Sequence, residues 1–218
     1  MLQFDASRNK SHVETGNHCT MNIETLTALT VFAFVSSATP GPNNLMLMAS
    51  GANFGFGRSI PHMLGISIGF SVMILCVGAG LVQIFDSWPA SYTILKVLSV
   101  LYMTWLAWKI ARAAPATKGD GSGRPMTFLQ AAAFQWVNPK AWAMALTALS
   151  VYASDATLFA FGIVALVFGL VNLPSITLWT VLGQQMARFL TQPARLRAFN
   201  WTMAGLLMAS LYPVLWPN

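Results

Sequence analysis

Of 218 residues, 56% are hydrophobic and 8% charged, and the mean hydropathy is +0.59. Soluble domains carry roughly 25% charged residues, so the chain reads as an integral membrane protein, and its continuous rather than alternating apolar runs argue against a β-barrel. The net charge of +6 is carried at the ends of apolar segments, which is the topogenic pattern and not a nucleic-acid patch.

Residues 1–20 are polar and contain no apolar run, so they are not a cleavable signal peptide. They are read either as a disordered tail or as residues preceding a natural start at Met21. The first apolar segment spans about Glu24 to Ser50, which suits a crossing helix of about 20 apolar residues. Its centre is Ser36-Ser37-Ala38-Thr39-Pro40-Gly41-Pro42-Asn43-Asn44. Proline removes a backbone donor and clashes with the preceding turn. In lipid, such a break is tolerated only where it is buried in protein or lines a watery cavity. It is therefore either a structural kink or a substrate site built from two half-helices.

A glycine-rich connector follows, with Gly51, Gly55, Gly57 and Arg58. The second segment runs from about His62 to Phe85 and the third from about Tyr92 to Ile110, with Trp105 and Trp108 near its basic end as aromatic-belt candidates. His62, at the start of its segment, is read as interfacial. Ala114 to Pro125 is an exposed loop rich in glycine, serine and proline. The fourth segment is about Phe128 to Val151, the fifth about Leu158 to Phe189 with Asn172-Leu173-Pro174 inside it, and the sixth about Phe199 to Leu215.

Arg58, then Lys109, Arg112, Lys118 and Arg124, then Arg188, Arg195 and Arg197 mark alternate connectors. The basic connectors should be cytoplasmic. Six spans then place both termini outside; five spans remain open if one segment is re-entrant. The central loop divides the spans three and three, so related halves would insert in opposite directions, as in many secondary transporters. Such a repeat requires a second break, and Gln135-Trp136-Val137-Asn138-Pro139-Lys140 supplies it in the fourth segment. The expected fold is an all-α integral membrane protein of six transmembrane helices, as two inverted three-helix repeats with helices 1 and 4 broken at midmembrane. Its expected division is a tail (1–20), a first repeat (21–113), a cytoplasmic loop (114–126) and a second repeat (127–218).

The acidic residues, Asp5, Glu14, Glu24, Asp86, Asp120 and Asp155, all fall in the tail, connectors or segment edges. That argues against a buried metal-cation site and a carboxylate proton relay; no metal and no cofactor are expected. Cys19 and Cys76 belong to different environments, so no disulfide is expected. Lys140 lies halfway through the fourth segment. A charge there costs at least ~2.5–3.5 kcal/mol and is usually functional. Half-helix N-termini add unpaired N–H groups and a positive dipole end. The candidate substrate residues are therefore Pro40, Gly41, Pro42, Asn43, Asn44, Asn138, Pro139 and Lys140. Together they favour a carboxylate, with an amine placed on carbonyls freed by the breaks. The bland alternative is that Lys140 only caps carbonyls opened by Pro139. Gly65 and Gly69 form a small-xxx-small pattern for close packing, against the broken first helix or in a homodimer. Asn172 and Pro174 are a gating or plain proline kink. No H-E-x-x-H motif and no P-loop is present, and no enzyme is expected.

Thr39 to Asn44, Gly55-Phe56-Gly57-Arg58, Gly65 to Gly69, Tyr102 to Lys109 and Asn138-Pro139-Lys140 together resemble the LysE/RhtB family of amino-acid exporters, from about Met21 onward. The likeness is greatest to the neutral-amino-acid branch, which includes cysteine and O-acetylserine exporters. It implies export of an amino acid or related small metabolite across a bacterial inner membrane by proton antiport. The partners expected are that small molecule and the lipid bilayer. A non-transporting scaffold or accessory subunit and a small-ion channel are the alternatives.

Overall fold

The computed structural model describes residues 22–113, 124–153 and 156–215. The expected tail, most of the central loop and Asp155 lie outside the described residues. Among the described residues every regular element is helical: α1 (Ile23–Ala38), α2 (Pro42–Phe54), α3 (Phe56–Cys76), α4 (Val82–Ser87), α5 (Ala90–Ala111), α6 (Phe128–Phe134), α7 (Pro139–Tyr152), α8 (Leu158–Ala187), α9 (Pro193–Ala209) and α10 (Tyr212–Leu215).

Phe56–Leu81, Ala90–Ala111 and Leu158–Ala187 are each long and apolar enough to cross a membrane, and α1 with α2 qualifies as one span bent by 53°. Their outer faces carry Leu101, Leu166, Leu170 and Leu178 largely exposed. A helix that is apolar all round belongs in a membrane or a large core.

Several boundaries differ from those read off hydropathy. The second segment begins at Phe56 rather than His62, because Gly55 turns the chain at φ +80°, where only glycine is unstrained. The amide of Phe56 then donates to Gln184 Oε1 at 2.7 Å, which supplies the missing N-terminal cap. Gly51, read as part of a connector, lies inside α2. The same segment is interrupted by a wide turn at Val77–Leu81, where Gly80 has φ +116°. The sixth segment starts at Pro193, the first helical residue of α9. Its charged first turns lowered the hydropathy there without stopping the helix. Through Pro174, α8 is continuous.

α8 packs against α1, α2 and α3, while α5 packs on α9 and α3 on α6. The α2–α8 crossing is the closest: a Cβ on Gly51 would strike the Thr180 carbonyl, and one on Gly183 would strike the Met48 carbonyl. Two helices with a glycine at the crossing can bring their backbones together. The Gly65–Gly69 face meets Phe128, Ala131 and Ala132 of α6, not the broken first helix as expected from sequence. α6 is short and alanine-rich, so it offers the flat surface that these glycines match. α3 also donates to α8, from Ser67 Oγ to the Gly169 carbonyl and from Ser71 Oγ to the Ala165 carbonyl, both 3.0 Å. One apolar cluster joins α1, α3, α7 and α8, and another joins α2, α3, α5, α6 and α9. The two breaks meet where these clusters adjoin.

Candidate functional site

α1 stops at Ala38 because Pro40 cannot donate to it. Thr39 and Gly41 are extended, and Pro42 starts α2 at its first position. The carbonyls opened by this break are all engaged. Ser37 O accepts from Asn44 Nδ2 at 2.8 Å and from Ser175 Oγ at 2.9 Å. Ala38 O accepts from Trp179 Nε1 at 3.2 Å. Thr39 O accepts from Asn44 Nδ2 at 2.9 Å. A substrate amine therefore does not find these carbonyls vacant in this conformation, contrary to the expectation from sequence: buried carbonyls are rarely left unpaired, and α2 and α8 supply donors.

The second break is built the same way. α6 opens on a capping box between Thr127 and Gln130. It gives way to a tight turn at Gln135–Val137, and α7 restarts with Pro139 at its first position and Asn138 as its cap. The Asn138 side chain accepts from the Lys140 amide at 3.1 Å. The Lys140 ammonium crosses to the first break. It donates to Thr39 O at 2.8 Å, to Thr39 Oγ1 at 2.9 Å and towards Pro40 O at 3.5 Å. The carbonyls that it caps thus belong to the opposite break, not to that of Pro139. Beside it, Asn43 Nδ2 donates to Gln135 Oε1 at 2.8 Å and Gln135 Nε2 donates back to Asn43 Oδ1 at 3.2 Å.

A small pocket lies between the breaks. Of the residues expected from sequence, Gly41, Asn43, Asn44, Asn138 and Lys140 line it, and so does Asn172. Pro40, Pro42 and Pro139 shape the backbone without lining it, while Gly65, Gly69 and Pro174 lie elsewhere. Sequence reasoning missed Ser36, Ser37, Phe70, Gln135, Ala141 and Met144. Ser36, Ser37 and Gln135 stood inside the two interrupted stretches and could have been found. Phe70 and Met144 carried no such signal. Ser37 is buried and its hydroxyl has no partner. The amides of Asn43, Asn44 and Ala141 belong to first helical turns, where no intrahelical acceptor exists. Among the described residues no carboxylate lines the pocket. A cation, first-turn amides and neutral side-chain amides make a surface suited to an anionic group with a polar neighbour.

His62 is only 1% exposed and, among the described residues, neither ring nitrogen has a partner; it lies within α3, which starts at Phe56. Gly65-Ile66-Ser67-Ile68-Gly69 also spells G-x-S-x-G. A nucleophile elbow needs a strand-to-helix turn, whereas Ser67 lies within a helix and donates to Gly169.

Known proteins resemble the chain over most of its length. The cysteine/O-acetylserine efflux protein of Escherichia coli (strain K12) is 36% identical over 135 residues, covering 61% of this chain and 67% of that protein. The proteins of the same name from Shigella sonnei (strain Ss046) and Escherichia coli O1:K1 match to the same extent. No solved structure matches significantly. The family described as LysE type translocator matches residues 34–212, including both breaks and Lys140. The chain belongs to the LysE type translocator family.

Proposed function

We propose that this protein is a secondary transporter that exports a small neutral amino acid or a close derivative, and that the pocket between the breaks is its substrate site. The relatives named as cysteine/O-acetylserine efflux proteins support the substrate class. The carrying observation is the Lys140 ammonium, seated in the pocket on Thr39 of the opposite break. A substrate carboxylate competes for that ammonium, since attraction between two full charges adds to the hydrogen bond that a neutral carbonyl already makes. Thr39 O keeps Asn44 as a donor when Lys140 turns away, so release leaves that carbonyl paired. The amine then falls to side-chain oxygens such as those of Asn43, Gln135, Asn172 and Ser37.

In this reading, substrate unlatches one break from the other and so biases the relative position of two halves, 21–113 and 127–218, joined by a cytoplasmic loop at 114–126. The halves are inverted three-helix repeats, and six spans place both termini outside a bacterial inner membrane. The paired half-helices, each beginning with proline, support the repeat. Proton antiport supplies the driving force. The test is counterflow of labelled O-acetyl-L-serine and L-cysteine in proteoliposomes. Exchange that is lost in Lys140→Ala supports the assignment, and wild-type exchange in that variant removes it. Unlabelled substrate that fails to accelerate labelled uptake would point to a channel instead.

A further inference from the structure

A second cavity lies along the C-terminal half of α2. Ser50, Asn53 and His62 form part of its wall, Lys109 and Arg124 also line it, and among the described residues no carboxylate does. Ser50 and Asn53 are already bonded, to Ser59 at 2.7 Å and to Asn200 at 2.9 Å. His62 is not, although it is buried. Buried polar groups are nearly always paired, and one that is not calls for an explanation. Lys109 is exposed and rests on the Trp105 ring at 4.7 Å; Arg124 is exposed as well. Two cations beside a polar wall with an unpartnered imidazole are the chemistry of oxyanion recognition.

We infer that this cavity is a second ligand site and takes an oxyanion, held by Lys109 and Arg124 with one nitrogen of His62 turned to it. The oxyanion is either the carboxylate of the transported solute or the phosphate of a lipid headgroup. α2 joins this cavity to the Lys140 pocket. Its 13 residues span ~20 Å, with Asn43 and Asn44 at one site and Ser50 and Asn53 at the other. Between them Met46 and Leu47 are buried in an apolar plug with Phe134. A solute held here would wait at the basic side of that plug. That role rests on the export reading, whereas the oxyanion site does not.

The test uses the purified full chain and the fluorescence of Trp105, assigned by difference from Trp105→Phe. The probes are acetate and O-acetyl-L-serine in detergent, and phosphatidylcholine nanodiscs with or without phosphatidylglycerol. A saturable response is expected to persist in Lys140→Met. It should weaken by about ten-fold in Lys109→Gln/Arg124→Gln, as losing charge-assisted bonds requires. His62→Phe, which keeps a ring and removes both nitrogens, should weaken it too, and His62→Gln should recover part of the loss. A response to the two carboxylates assigns the site to solute, and a response to phosphatidylglycerol alone assigns it to lipid. No saturable response to any probe overturns the inference, as does unchanged affinity in the double variant with its thermal unfolding intact. Loss of transport with binding retained would count against the export reading alone.

Discussion

Lys140 and Thr39, 101 residues apart, are joined by two hydrogen bonds from one ammonium, at 2.8 Å to the carbonyl and 2.9 Å to the hydroxyl. This pairing ties one broken helix to the other. Lys140→Met keeps most of the side chain and removes the donor. Exchange should fall by about 100-fold or more, as when a buried charged partner is lost at a cost of ~3 kcal/mol or more. Thermal unfolding should change little, because Thr39 O retains Asn44. Proteoliposome exchange and a melting curve on the same preparation check both halves of the expectation.

Gly41→Ala isolates the position of Lys140 from its charge. The added Cβ would lie 2.6 Å from Lys140 Cδ and 3.0 Å from Nζ. Gly41 has φ −171°, an extended conformation that alanine adopts freely. The fold should therefore survive while the flexible lysine arm is displaced. Exchange should drop by about ten-fold, since even small misplacements at a reacting or binding group are costly. Gly41→Ala with undiminished exchange would show that the ammonium need not sit where it does.

Gly51→Val and Gly183→Val should behave in the opposite way. Here the added groups meet backbone carbonyls of Thr180 and Met48 across the α2–α8 crossing. Backbone cannot rotate aside, so the helices must separate. The loss is about 1–3 kcal/mol or more for each variant. Size-exclusion chromatography in detergent should show aggregated or reduced yield for both, and a lower melting temperature for whatever folds.

Both breaks and Lys140 were legible in the sequence because prolines, glycine, asparagines and a lone intramembrane charge are strictly local signals. The occupants of the freed carbonyls were not. Ser175 and Trp179 sit on a helix with no break, and their role depends on how α8 docks against α1. Likewise the spacing of Gly65 and Gly69 announced close packing but could not name α6 as the partner. Hydropathy began the second segment at His62 because it marks where apolar residues begin, while the backbone turn at Gly55 decides where the helix begins.

The Asn43–Gln135 amide pair offers a separate measure of how the breaks are held. Asn43→Ala leaves Gln135 Nε2 bonded to Ala131 O at 2.9 Å but strips Gln135 Oε1, on a fully buried side chain, of its Asn43 donor. Gln135→Ala frees both ends of the Asn43 amide, which is half-buried and lines the pocket. Leaving a fully buried polar group unpaired costs more than freeing one that can reach water. In hydrogen bonding Asn43→Ala should therefore be the more costly single change. The double variant should recover part of the sum, with a coupling of about 0.6 kcal/mol and at most about 1.7, the mean and maximum found for intramembrane side-chain pairs. Reversible unfolding in detergent for all four proteins gives that coupling. A value near zero would mean that Lys140 alone joins the two breaks, and that the amide pair is available to a substrate without cost.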